Sequence, residues 1–281
     1  MKPGIYQGIS NADYHGGKGV SKSELDIIDR SPAHYSHSLT AEREQKACFS
    51  IGDEAHRMTL EPDEAHSYIL APTRARRSNA DREAWAEWFT ANGAAIDTSQ
   101  AASTWDDAYY KATGRYLLNS EQVAEIENMR DSVMSHPAAS ELLTGGVAEQ
   151  SAYWIDEETG LLCRCRPDYH RGPFLVDLKT ADDASPRAFA RSVAKFRYHV
   201  QAAYYADGFN AAGGAVDEFV FVAVEKSPPY AVAVYYLDDD GVQRGRDAYR
   251  ENLATMKACM ESEKWQAFSD EPQLLEVPAW V

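Results

Sequence analysis

The sequence contains no run of apolar residues long enough to cross a bilayer, which takes about 18–20 in succession, so no membrane partner is expected. Its opening, Met1-Lys2-Pro3-Gly4-Ile5-Tyr6, lacks the apolar core of a secretory leader, and a cytoplasmic location is expected. Cysteine is scarce. Cys48, Cys163, Cys165 and Cys259 are too few over this length for a disulfide framework, so reduced, structural thiols are expected. No G-x-x-x-x-G-K-[ST] loop is present, which excludes ATP-driven translocation by that device. Repeats and low-complexity tracts are also missing, so 1–281 reads as one domain.

Positive charge is in short supply as well: 28 Lys and Arg against 44 Asp and Glu leave a formal charge of −16. That argues against a protein that coats itself in nucleic acid, because non-specific phosphate binding needs clustered cations. A local cleft built from carboxylates around a cation is compatible with it. One basic cluster, Arg74, Arg76, Arg77 and Arg82, leaves two readings open, a groove for a phosphate backbone or a solvated loop.

What is present is ample core material, 44% hydrophobic residues with 11% aromatic. Ser21-Lys22-Ser23-Glu24 has the form of a capping box and predicts a short helix through Leu25 and Ile28, after which Ser31-Pro32 ends it or starts another. Residues 49–60 read as a helix with Ile51, Ala55 and Met58 on one face and His56 beside them. The stretch 81–119 reads as mostly helical, and Val123, Ile126, Met129 and Val133 predict a helix over 120–135. The period then changes to two. Residues 150–155 and 161–167 predict a β-hairpin, and 174–180 a third strand after a turn at 169–173, with His170 exposed in that turn. Ser185-Pro186 opens a helix carrying Phe189, Val193 and Phe196, and 200–209 reads as another. Strands at 219–224 and 230–237 and a helix at 241–262 complete an α/β sandwich around a mixed sheet.

The chemistry gathers around Arg166-Pro167-Asp168 and Asp177-Leu178-Lys179. On a strand, positions 177 and 179 share a face, so a carboxylate and an ammonium stand side by side. If Asp168 closes the preceding strand, the intervening turn brings its carboxylate beside that of Asp177. Converging carboxylates repel and call for a cation, and oxygen donors favour Mg²⁺, with Mn²⁺ as a substitute. Such a cation would activate water and polarise a phosphodiester, while Lys179 would orient the attacking water or offset growing charge. Taken alone, Asp177 and Lys179 read more readily as an exposed same-face ion pair, and context has to decide.

The arrangement Pro-Asp, then Asp-x-Lys on strands, resembles the active-site motif of the PD-(D/E)xK nuclease superfamily. Gly52-Asp53-Glu54-Ala55-His56 and Gln201-Ala202-Ala203-Tyr204-Tyr205 are similar to two further motifs of its RecB-like branch. A narrower likeness, to the RecE (exonuclease VIII) nuclease-domain family of lambdoid prophages, rests on Gly4-Ile5-Tyr6, Ile9-Ser10-Asn11-Ala12-Asp13-Tyr14-His15, Ser21-Lys22-Ser23, 161–168 and Arg197-Tyr198-His199-Val200-Gln201. The resemblance implies a restriction-endonuclease-like core, a mixed central β-sheet flanked by helices, at 146–281. Residues 1–145 would be a mostly helical elaboration carrying His56.

The same resemblance implies His56, Asp168, Asp177 and the backbone carbonyl of Leu178 as metal ligands. Lys179 would be the catalytic lysine, Gln201 and Tyr205 would buttress the site or touch DNA, and Glu149 would be a further acidic residue near the metal. It implies a double-strand DNA exonuclease that resects 5′ to 3′ from DNA ends. The resulting 3′ tails would serve a single-strand annealing protein, and the enzyme would work as a homo-oligomeric ring, a tetramer by preference. An endonuclease of the same fold and a catalytically inactive DNA-binding module are the alternatives. The spacing of the cysteines fits an iron–sulfur cluster poorly.

Overall fold

The computed structural model describes residues 1–40, 51–62 and 67–276, so Cys48, the first two residues of the helix predicted at 49–60 and the tail beyond 276 lie outside the described residues. In chain order the elements are β1 (Gly4–Tyr6), α1 (Asn11–Gly16), α2 (Lys22–Arg30), α3 (Pro32–Thr40), α4 (Ile51–Leu60), β2 (Tyr68–Leu70), α5 (Asn79–Ala91), α6 (Trp105–Thr113), β3 (Tyr116–Leu118), α7 (Ser120–Ser135), α8 (Pro137–Leu142), β4 (Val147–Ala148), β5 (Ser151–Ile155), β6 (Leu162–Cys165), β7 (Tyr169–Arg171), β8 (Phe174–Ala181), α9 (Pro186–Lys195), α10 (Tyr198–Ala211), β9 (Glu218–Glu225), β10 (Val232–Tyr236) and α11 (Asp239–Ser262). Local chemistry sets the helix starts. Ser21 and Glu24 form the reciprocal cap of α2, and Pro32 opens α3 where its missing N–H costs nothing.

The central sheet has five strands in the order β10-β9-β8-β7-β4. β8 and β9 run parallel over eight residue pairs and the other neighbours are antiparallel. Parallel strands are covered on both faces, which is why β8 and β9 read as near-continuous apolar runs. Leu175, Phe221 and Ala223 face a core shared with α2, α9, α10 and α11. Val176, Leu178, Val222 and Val224 face the opposite core, where Ala55 and Met58 of α4 meet Ile126, Met129 and Val133 of α7. The sheet is thus the middle layer of an α/β sandwich, with α4 under one face and α10 over the other.

Three readings of the sequence are corrected. The hairpin at 150–167 does not extend the central sheet: β5 and β6 pair with β1 in a separate antiparallel sheet of order β1-β5-β6. The turn expected at 169–173 is largely a strand, because Tyr169 and His170 pair with Val176 and Leu175, and only Gly172-Pro173 turns. His170 accordingly is half-buried, 2.8 Å from the Gln150 amide oxygen and packed on Phe209. Within 81–119, helices α5 and α6 are followed by β3, which pairs in parallel with β2. Strands of three residues are too short to leave a readable period.

The basic cluster fits neither of its two readings as a whole. Arg76 lies 4.4 Å over the ring of Trp85 and pairs with Asp106 at 2.7 Å, and Arg82 donates to the carbonyls of Thr98 and Gln100. Both are packing residues for an aromatic core of Trp85, Phe89, Trp105 and Tyr109. Among the described residues Cys163, Cys165 and Cys259 are free thiols, the first two buried.

Helices α10 and α11 cross closely at Gly245, where an added Cβ would stand 2.1 Å from the carbonyl oxygen of His199. Backbone cannot yield as a side-chain tip can. Gly245→Ala is expected to lower stability by about 1–3 kcal/mol through overpacking, read as an earlier urea midpoint at unchanged slope; an unmoved midpoint would contradict this packing.

Candidate active site

Pro167 cannot donate to a ladder, so pairing of β6 ends and the chain passes from the three-stranded sheet into the central one. Asp168 sits at that passage. β7 accompanies β8 only as far as Val176, so on that side the N–H of Leu178 has no strand partner and donates instead to Asp168 Oδ2 at 2.7 Å. Within a strand the N–H and C=O of one residue face the same side, so the Leu178 carbonyl faces the same opening. His56 reaches this point from α4, its Nε2 2.7 Å from Asp168 Oδ2. Glu149 arrives from the other direction in a left-handed conformation, φ 53°, with its N–H donating to the Asp168 carbonyl at 3.0 Å.

His56, Glu149 and Asp168 each offer a donor atom within 4.8 Å of the others. Asp177 stands outside this trio. It is 1% exposed, one oxygen accepts from the Gln201 amide, and the other, Oδ2, is 2.6 Å from Lys179 Nζ. That second contact has the distance of an ion pair but not the direction of a hydrogen bond, which leaves a buried carboxylate oxygen without an aligned donor. Lys179 also lies 4.6 Å over the ring of Tyr198. Tyr205, one helical turn beyond Gln201, is half-buried and lines a groove next to the lysine. His56, Glu149, Asp168, Lys179 and Tyr198 open onto a cleft of about 900 Å³, whose far wall includes Gly8, Ile9 and Ser10.

The electrostatics follow from burial of several charges at one point. Burial opposes a charged imidazole at His56, yet the charges of Asp168, Asp177 and Glu149 outweigh it and lift the pKa to about 9. For Glu149, burial and then the charge of Asp168 push the carboxyl up to about 7. Asp177 is raised to about 6 by burial and by Asp168, against the pull of Lys179. Burial resists ionisation of Asp168 too, but His56, Lys179 and the Leu178 N–H together hold it below the usual carboxylate range. Lys179 is buried at a cost to its charge, which the two aspartates more than offset, so its pKa rises. In the metal-free chain the His56 imidazolium therefore supplies the positive charge that the carboxylates require.

The sequence reading assigned no role to two residues that complete the site. Arg166 donates to Ser151 Oγ and to the Ile9 carbonyl, both at 2.9 Å, lies over Tyr14, and reaches Glu149 at 4.0 Å. It ties the N-terminal wall of the cleft to the acidic cluster. Tyr198 was legible in principle, since 198, 201 and 205 recur at helical spacing on α10.

No curated protein matches the chain at a significant level. Among solved structures, a putative exonuclease from Eubacterium rectale superposes with a TM-score of 0.54 at 12% identity, covering 97% of this chain and 96% of its own. A phage related exonuclease from Haemophilus somnus 129PT gives a TM-score of 0.30 at 12% identity, over 67% of this chain and 90% of that one. An alkaline exonuclease from Laribacter hongkongensis gives 0.28 at 17% identity, over 75% and 95%. Only the first score is high enough to speak for a shared fold. The family model described as a PDDEXK-like domain of unknown function (DUF3799) matches residues 21–277, the span that contains the mixed sheet and His56, Glu149, Asp168, Asp177 and Lys179, and the chain belongs to that family.

Proposed function

We propose that the chain is a divalent-metal-dependent deoxyribonuclease, an exonuclease acting on double-stranded DNA ends. The observation that carries this reading is the convergence of His56, Glu149 and Asp168 in one cleft with the Asp177–Lys179 pair beside them. The donor set suits a small divalent cation: two carboxylates, an imidazole, the outward Leu178 carbonyl, and the unaligned Oδ2 of Asp177. Mg²⁺ is the cation this reading assigns, and Mn²⁺, which accepts imidazole readily, its substitute. Bound there, the cation would supply Lewis acidity toward a phosphodiester and toward water.

The remaining steps belong to the side chains. Lys179 stays an ammonium, so it acts as a fixed charge that orients water or offsets charge growing on the phosphate, and not as a proton acceptor. Asp177 holds that ammonium, and Gln201 holds Asp177. The lysine rests on the ring of Tyr198, and Tyr205 lines the same groove. Attack at ends, 5′-to-3′ direction, 3′ single-stranded tails, a ring-shaped homo-oligomer, a single-strand annealing partner and a cytoplasmic location rest on the resemblance to the RecE family. The neighbour from Eubacterium rectale, itself a putative exonuclease, agrees with the first of these.

Purified chain with linear duplex and Mg²⁺ is expected to release nucleotides. Lys179→Ala should lower kcat by about 10²–10³, the usual cost of losing one preorganised charge at a transition state, and Asp168→Ala should abolish specific Mn²⁺ uptake. Cutting of covalently closed circles would favour an endonuclease, and no metal uptake by the wild-type chain would favour an inactive module. End-labelled duplexes blocked by phosphorothioates at the 5′ or the 3′ end read the polarity: a 5′ block alone should stop digestion.

The pH dependence has a definite sign. His56 and Glu149 both have folded pKa values above their ordinary ones, so each stabilises the fold at low pH and loses that contribution as pH rises through about 9 and about 7. The metal-free chain is expected to melt at progressively lower temperature from pH 6.5 to 9, and His56→Ala should flatten that decline. Because a cation competes with the same protons, Mn²⁺ affinity should rise over this window. A melting temperature in EDTA that is flat or rising across it would contradict the geometry.

A further inference from the structure

Helix α9 carries Arg187, Arg191 and Lys195, each four residues from the next, and no carboxylate. All three are exposed, and among the described residues none has an ion-pair partner. The stripe concentrates positive charge in a chain with 44 acidic against 28 basic residues. Several arginines on other elements are paired: Arg130 with Asp131, Arg244 with Asp240, Arg246 with Asp207 and Arg250 with Asp156. The acids nearest α9 feel its cations only at longer range, Asp182 that of Lys195 and Asp183 that of Arg191, and make their close contacts with other groups. Asp182 pairs with Lys226 at 2.6 Å, and Asp183 accepts from the Ser185 N–H at 2.8 Å.

The stripe leads into the active site. Lys195 lies 4.9 Å over the ring of Phe196, Phe196 stacks on Tyr198 at 5.6 Å and 27°, and Tyr198 underlies Lys179. Phe196, which the sequence groups with Phe189 and Val193, is 47% exposed. A groove of about 550 Å³ runs here, and it shares Lys179 and Tyr198 with the catalytic cleft. Its floor is made rigid by Lys22, bonded to Asp26 and to the Phe196 carbonyl, and by Arg197, bonded to Asp26, Asp29 and Asn252.

We propose that this groove and the outer face of α9 form the track for a single-stranded segment of the substrate, its phosphates on Arg187, Arg191 and Lys195 and a base stacked on Phe196. The inference rests on the nuclease reading of the cleft and adds where the strand runs. From Arg187 to Lys195 the helix rises about 12 Å, the axial length of roughly three to four nucleotides. Exposed Ala190 and Ala194 between the cations leave room for a sugar–phosphate backbone. A solvent-facing aromatic ring accepts the face of a base only when that base is unpaired from its complement, so the feature selects a frayed strand over an intact duplex.

The test is fluorescence anisotropy with a labelled oligothymidine and the full chain in EDTA, which prevents hydrolysis. The triple variant Arg187→Gln/Arg191→Gln/Lys195→Gln should bind at least tenfold more weakly. Its slope of log affinity against log salt should shrink by about 2, at roughly 0.7 per lost phosphate contact on single strands. Phe196→Ala should weaken binding about fivefold or more, the loss of one stacked base, with the salt slope unchanged. Arg244→Gln, a paired arginine on another face, serves as the control and should bind as wild type does. Unchanged affinity and slope in the triple variant, or a loss confined to blunt duplex, would overturn the proposal. Loss of oligothymidine binding in a chain whose wild type cuts no DNA would sustain the track and sink the nuclease reading, and the reverse pattern would do the opposite.

Discussion

A strand that outlasts its neighbour governs this molecule. β8 runs to Ala181 while β7 leaves it at Val176, so the middle of a well-covered sheet has one short open side. A backbone amide left there must find an acceptor, and the acceptor is a carboxylate, Asp168. That bond fixes the first acid. Strand alternation then fixes Asp177 and Lys179 on the face toward α10. His56 comes from the helix on the opposite face, so the site gathers donors from both outer layers at the one place where the middle layer does not separate them.

The concentration of charge at that opening explains the opposing pKa directions. Five ionisable groups with two signs share a partly dry space, and no arrangement of protons satisfies all of them. Asp168 stays ionised because His56 and the Leu178 N–H donate to it and Lys179 adds its charge, and Glu149 and Asp177 then rise in response. Such a cluster holds its proton on the imidazole until something better charged replaces it. The Asp177–Gln201 bond fixes the acid beside Lys179, so that its other oxygen keeps to the lysine.

Much of this was legible in the residues, and for identifiable reasons. Asp168, Asp177 and Lys179 stood out because a strand of period two makes same-face neighbours countable. His56 and Gln201 carried no signal of their own spacing and were found through resemblance. β7 was hidden by the turn residues Gly172 and Pro173, which drew the boundary too early, and β2 and β3 are shorter than any period. The separation of β5 and β6 from the central sheet depends on β1, more than a hundred residues away in sequence, and no local pattern records such pairing. The four-residue spacing on α9 was in plain view, but its lack of acidic partners is a property of the folded surface.

The wall of the cleft formed by Gly8, Ile9 and Ser10 has a consequence for when this chain becomes competent. Arg166 clasps that wall, and β1 is sewn to β5, so the site is assembled from the beginning, the middle and the second half of the polypeptide together. A nascent or half-collapsed chain that has made only the Asp-x-Lys strand owns none of the rest. The cleft is thus a product of the whole topology, closed only when the first strand has found its partner far along the chain.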